Sequence, residues 1–115
     1  MGLTNKQKYN KKIGQKLNDP NSKEDISKKT RIPMAILDEV YDRGIGAWKT
    51  NIKSVRLKKD FSKNPNLKKF PRSARLTKEQ WAFARVYSFI MEGRTTKTAD
   101  KDLYDKVKHY KWFKK

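Results

Sequence analysis

At 115 residues, 37% charged and 35% hydrophobic, the chain is expected to form one domain with a modest core, and three Trp, five Tyr and five Phe set it apart from a disordered tail. The lack of cysteine excludes disulfides, thiolate metal sites and cysteine nucleophiles, and no apolar run approaches the roughly 18 residues of a membrane span. A formal net charge of +18 and a pI near 10.2 point to a polyanionic partner or an anionic surface.

The chain opens on a lysine-rich arm, residues 1–21, where Tyr9, Ile13 and Leu17 recur four residues apart. That spacing predicts a helix with one narrow apolar stripe, ended by Asn18-Asp19-Pro20. The main domain is expected over residues 22–109. Ser22 with Asp25 resembles a capping box and starts a short helix over 23–30. Pro33 then suits a first helical turn, and Met34, Leu37, Val40 and Tyr41 fall on one face of a second helix expected to stop before Gly44. Two short helices joined tightly at Arg31-Ile32 have a helix-turn-helix outline, with Ile26 meeting Leu37 or Val40.

The next stretch, YDRGIGAWKTN, fits neither a clean helix nor a strand. Gly44 is expected to close the helix, Gly46 to let the backbone turn again, and Trp48 to anchor the base of a loop. Either these residues only end a helix and fill a gap, or the loop they start touches a ligand.

Residues 49–75 hold ten basic side chains against one acid, half of the net charge in 27 residues. Pro65, Pro71, three Asn and irregularly spaced Val55, Leu57, Phe61, Leu67 and Phe70 read as an extended basic loop pinned by a few apolar contacts. Lys49, Lys53, Arg56, Lys58, Lys59, Lys68, Lys69, Arg72 and Arg75 are its candidate phosphate contacts. Lys28, Lys29 and Arg31 join them from the preceding helix. The competing reading of such a run is a solvated linker.

Thr77 and Gln80 make a capping box for the most apolar helix, whose residues Trp81 to Met91 cover most of its circumference, with Gly93 expected at its left-handed C-terminal position. This is the expected central buried element. A last helix starts near Thr98, with Asp100 and Asp102 in its first turn and Ala99, Leu103 and Val107 as its stripe. The tail, residues 110–115, either docks Tyr110, Trp112 and Phe113 on the core or contacts nucleic acid as an aromatic-basic segment. The architecture expected is all-α: a small multi-helix domain with a helix-turn-helix-like pair, a long basic loop and a central buried helix.

A helix-turn-helix reads DNA with its second helix, yet here that helix carries Asp38, Glu39 and Asp42, which would repel phosphate. Nucleic acid is therefore expected against the loop, through contacts that reach phosphates and carry little sequence information. Chemistry is not expected. His109 is a lone surface histidine, no phosphate-binding glycine loop or paired-histidine helix is present, and an acidic helix surface or internal salt bridges to Arg31 and Arg43 account for Asp38, Glu39 and Asp42 better than a metal does. No enzyme activity, cofactor, metal or small-molecule substrate is read from the chain.

The pieces Arg43-Gly44, Ala47-Trp48, Gln80-Trp81-Ala82, Ala84-Arg85-Val86, Ser88-Phe89 and Asp100-Lys101-Asp102-Leu103 resemble a small uncharacterised domain family of tailed bacteriophages and large eukaryotic DNA viruses. The resemblance covers about residues 22–103 and departs from the family in its long basic insertion after the tryptophan. It implies a viral source and supplies no settled activity. With the charge, it leads to the expectation of a virion-associated protein, in the virion or inside the host cell, that binds nucleic acid (double-stranded DNA foremost) through phosphates. The alternative is a minor capsid or cementing protein whose loop docks on acidic capsid surfaces.

Overall fold

The computed structural model describes residues 3–60 and 62–114; Phe61, one of the expected loop pins, lies outside them. The fold is all-α, and the described residues form five α-helices: α1 (Asn5–Lys12), α2 (Lys23–Thr30), α3 (Met34–Thr50), α4 (Lys78–Ile90) and α5 (Lys101–Val107). Among the described residues the sole β pairing is one antiparallel bridge between Leu57 and Arg75.

Local chemistry sets three of the helix starts. Thr4 with Gln7, Ser22 with Asp25, and Thr77 with Gln80 each form a complete reciprocal capping box, so α1, α2 and α4 begin with two backbone donors satisfied. The shorter side chain of Asp25 closes its box as well as the two glutamines do.

Helix ends depend more on tertiary partners. α1 stops at Lys12, well before the expected Asn18-Asp19-Pro20, and Gly14 turns the chain with φ +80°. The cause is Asn10, fully buried, whose amide donates to the carbonyls of Leu17 (2.9 Å) and Asp19 (3.0 Å) and so captures the returning chain. Leu17 consequently leaves the predicted stripe and is 39% exposed.

α3 corrects a second expectation by running through Gly44 and Gly46 to Thr50. Gly44 lies where α3 crosses α4: a Cβ placed there would sit 2.8 Å from Ala82 Cα. The glycine serves close helix approach and ends nothing. Gly46 meets no atom within 4 Å. At the end of α4 it is Glu92, φ 55°, that takes the left-handed position expected for Gly93. Gly93 is extended (φ −73°) and is needed because a side chain would strike Ser88.

α4 packs chiefly on α3 and also meets α1, which makes it the central element. The core joins Tyr9, Ile26, Ile32, Leu37, Val40, Val86, Phe89 and Ile90 with Leu103, Val107 and Phe113. Each fully buried aliphatic side chain contributes on the order of 1.5–3 kcal/mol. Arm and tail belong to this core. Tyr9 packs its ring against Tyr87 and Trp112 (centroids 5.7 and 5.6 Å), and Trp112 donates its indole N–H to the Ile90 carbonyl at 2.7 Å. The tail aromatics are thus docked.

α5 begins at Lys101, three residues later than expected, after a 3₁₀ turn at Arg94–Lys97, and Ala99 is exposed outside the stripe. Asp100 is fully buried and receives Arg85 through Nε (2.9 Å) and Nη2 (2.8 Å). Arg43, on α3, adds a bidentate pair to Asp102 (2.8 Å for each bond) and reaches Asp100 at 3.4 Å. Arg43-Gly44, Ala82, Arg85, Asp100 and Asp102 therefore meet at the α3–α4–α5 seam. They hold the fold together.

Candidate nucleic-acid interface

The segment between α3 and α4 is an ordered loop with its own small core. Val55, Leu57 and Leu76 are buried, and the chain closes on itself through Lys58 N–H to the Ala74 carbonyl and Leu76 N–H to the Arg56 carbonyl, both 3.0 Å. Trp48, in the last turn of α3, donates its indole N–H to the Leu76 carbonyl at 2.8 Å. That bond ties the departure of the loop to its return.

Arg75 was expected to contact phosphate, and its position corrects this: it is 1% exposed. Its guanidinium donates to the carbonyls of Val55 (2.8 Å), Phe70 (3.1 Å), Asn64 (2.5 Å) and Lys53 (3.4 Å). The planar five-donor fork of arginine suits this use, since the carbonyls converge from four parts of the loop. Arg75 is the hub around which the loop is folded.

Short polar side chains fix the rest of the backbone. Asp60 accepts from Ser62 N–H, Asn64 from Asn66 N–H, and Asn66 from both Lys68 and Lys69 N–H, each at 3.0–3.1 Å. Hydrogen bonds from Ser62, its side chain first and its backbone N–H next, hold the Asp60 carboxyl below its ordinary range. The lone acid of the loop is thus spent on its own turn.

With the backbone held, the other cations face outward. Lys49, Lys53, Lys58, Lys59, Lys68, Lys69 and Arg72 are exposed, and among the described residues none of them forms an ion pair. Arg56 is half-buried. Aromatic rings steer three of these groups without neutralising them: Lys59 and Lys69 lie 4.9 and 5.6 Å from the Phe70 ring centre, and Arg72 lies 4.9 Å from that of Trp48. Lys63, absent from the sequence-based candidates, is exposed on the same loop.

The helix-turn-helix pair is present as packing. α2 ends with Arg31 in the left-handed region (φ 68°), and Ile26 shares the core with Leu37 and Val40. Lys28, Lys29 and Arg31 are exposed at this turn, away from the loop along the chain of α3. The acids of α3 are partly paired: Asp38 with Lys23 (2.7 Å), which raises the lysine's pKa, and Glu39 with Arg43 (3.2 Å). Lys23, and not Arg31, is the partner there. No group of three or more His, Asp or Glu among the described residues is placed to hold a metal.

A groove of about 1040 Å³ runs beside the loop and α4, with Trp81, Phe83, Tyr87, Lys6, Lys63 and Arg94 among its lining. The charge count along the chain did not reveal it, because its cations come from three distant segments. No helix among the described residues is long and apolar enough to cross a membrane.

No curated protein and no solved structure matches the chain. A family model does match, over residues 1–64, which take in α1, α2, α3 and the first part of the basic loop. Because that match spans more than half of the sequence, the chain belongs to this family of unknown function, DUF5824.

Proposed function

We propose that this is a viral, virion-associated protein that binds nucleic acid, double-stranded DNA foremost, largely through phosphate contacts made by the 49–75 loop, and that it acts as a binder with no catalytic step. The observation that carries the proposal is the pairing of a folded loop backbone with unpaired outward cations. Arg75 and the Asx turns spend hydrogen bonds on holding the loop, while Lys58, Lys59, Lys68 and Lys69 are exposed and form no ion pair among the described residues. Preordering lowers the entropy lost on binding, and release of counterions from the nucleic acid supplies the drive. The viral setting is supported by the motif resemblance and by the size and charge of the chain. A cementing role in which the loop orders only on a capsid surface has less support, because the loop already closes on itself.

The test compares the wild type with a variant carrying Lys58→Ser, Lys59→Ser, Lys68→Ser and Lys69→Ser, and with a control that removes four charges elsewhere (Lys16, Lys78, Lys97 and Lys106 to Ser). Binding to a mixed-sequence duplex is followed over a salt series. The wild type should lose affinity steeply with salt, and each lost phosphate contact should flatten the log–log slope by about 0.9. Equal slopes for the loop variant and the control would refute the loop as the binding face.

A further inference from the structure

A second cationic site lies at the other end of α3. Lys12 from the end of α1, Lys29 and Arg31 from the end of α2, and Lys111 and Lys114 from the tail converge with Trp112 on an open recess of about 340 Å³ that no carboxylate side chain of the described residues lines. Of these cations only Lys12 is committed, donating to the Trp112 carbonyl at 3.1 Å and lying 3.9 Å from the centre of its ring. Lys29, Arg31, Lys111 and Lys114 are exposed and form no ion pair among the described residues.

Four free cations brought together by two separate segments repel one another, and the described residues offer them no counter-charge. Arg31 moreover holds a left-handed backbone (φ 68°) that non-glycine residues rarely adopt. An anion with several charges relieves this repulsion, and an exposed, lysine- and arginine-lined recess suits phosphate groups.

The position of the recess gives it a role distinct from that of the loop. Arg31 stands three residues before α3, whereas Lys49 lies in its last turn. A helix of 17 residues is about 25 Å long at 1.5 Å per residue. Between the two ends run Asp38, Glu39 and Asp42, which interrupt the positive surface on α3. Along α3 itself the two cationic poles are separated by a stretch in which acids outnumber bases.

We infer that the recess binds the phosphate backbone of a second nucleic-acid segment, so that one molecule bridges two segments held at opposite ends of α3. The inference rests on the loop reading above and adds a second, independent attachment point to it.

The test is a bridging assay, in which a bead-bound duplex captures a second, fluorescent duplex through the full-length protein. The recess variant carries Lys29→Ser, Arg31→Asn, Lys111→Ser and Lys114→Ser; asparagine tolerates the left-handed backbone, and Lys12 is left intact because the tail leans on it. The control is again the quadruple change at Lys16, Lys78, Lys97 and Lys106. The recess variant should still bind single duplexes through its loop but lose capture of the second duplex to background, while the control keeps it. Capture by the recess variant equal to that of the wild type would overturn the inference and leave the loop reading standing, as would equal loss in the control. A wild type that binds no duplex at all would overturn both.

Discussion

Gly44 and Gly46 stand two positions apart in one helix, and alanine should act on them with opposite signs. At Gly44 the added methyl would press on Ala82 of α4, 2.8 Å from its Cα, so the helices must part. The cost of such overpacking is about 1–3 kcal/mol. At Gly46 the methyl points into open space, and removing a glycine from a helix interior should stabilise by about 0.5–1 kcal/mol. Thermal melts of the two single variants check this, with shifts of several degrees in opposite directions. Tyr9 offers a second test. It is fully buried, its hydroxyl has no hydrogen-bond partner among the described residues, and burial pushes the phenol up to about 12. Tyr9→Phe removes an unpaired buried polar group and should be neutral or stabilising by about 1 kcal/mol. Because the folded pKa lies above the unfolded one, the neutral phenol supports folding fully below about pH 10, and that support is lost as pH rises toward 12. The wild type should therefore lose stability in that window more steeply than Tyr9→Phe, as denaturant melts at neutral and alkaline pH would show.

Among the elements, the loop is the one most dependent on a single side chain. Arg75→Ala removes the donors of four loop carbonyls, and each carbonyl left buried without a partner costs about 1–3 kcal/mol. The helices make their core elsewhere, so limited proteolysis should accelerate within residues 53–72 while far-ultraviolet circular dichroism stays near that of the wild type. Protease resistance equal to the wild type's would show that the loop has another support. What the sequence made legible among these elements was local. The boxes at Ser22 and Thr77 announce α2 and α4 because donor and acceptor lie three residues apart, and the apolar girth of 81–91 identifies the central helix. The end of α1 was not legible, since it hangs on a buried amide, Asn10, that grips the chain seven and nine residues on. Gly44 was misread for a related reason: a glycine that ends a helix and a glycine that admits another helix look alike until Ala82 is in place. Arg75 differs from Arg72 only in what surrounds it, so a charge count treats as equals one residue that is exposed and one that is the hub of the loop.

For the whole molecule, the distribution of charge matters more than its total. Arg43, Arg85, Lys23, Lys101 and Lys108 are consumed in ion pairs of the helical body, with acids the chain carries outside the loop. Of the remaining cations, the loop and recess groups stand at the two ends of α3 and others, Lys16, Lys78, Lys97 and Lys106 among them, are exposed elsewhere on a body 45 by 30 by 22 Å. On the proposed reading such a surface would hold nucleic acid through its backbone, with weak sequence preference and strong salt dependence. The measurement that tests this most directly is an amide chemical-shift map of the nitrogen-15-labelled protein, titrated at low salt with a short mixed-sequence duplex. The largest shifts are expected within residues 53–60 and 66–72, with little change at Asp38, Glu39 and Asp42 on α3. Shifts that spare the loop, or that centre on the acidic face of α3, would contradict that reading.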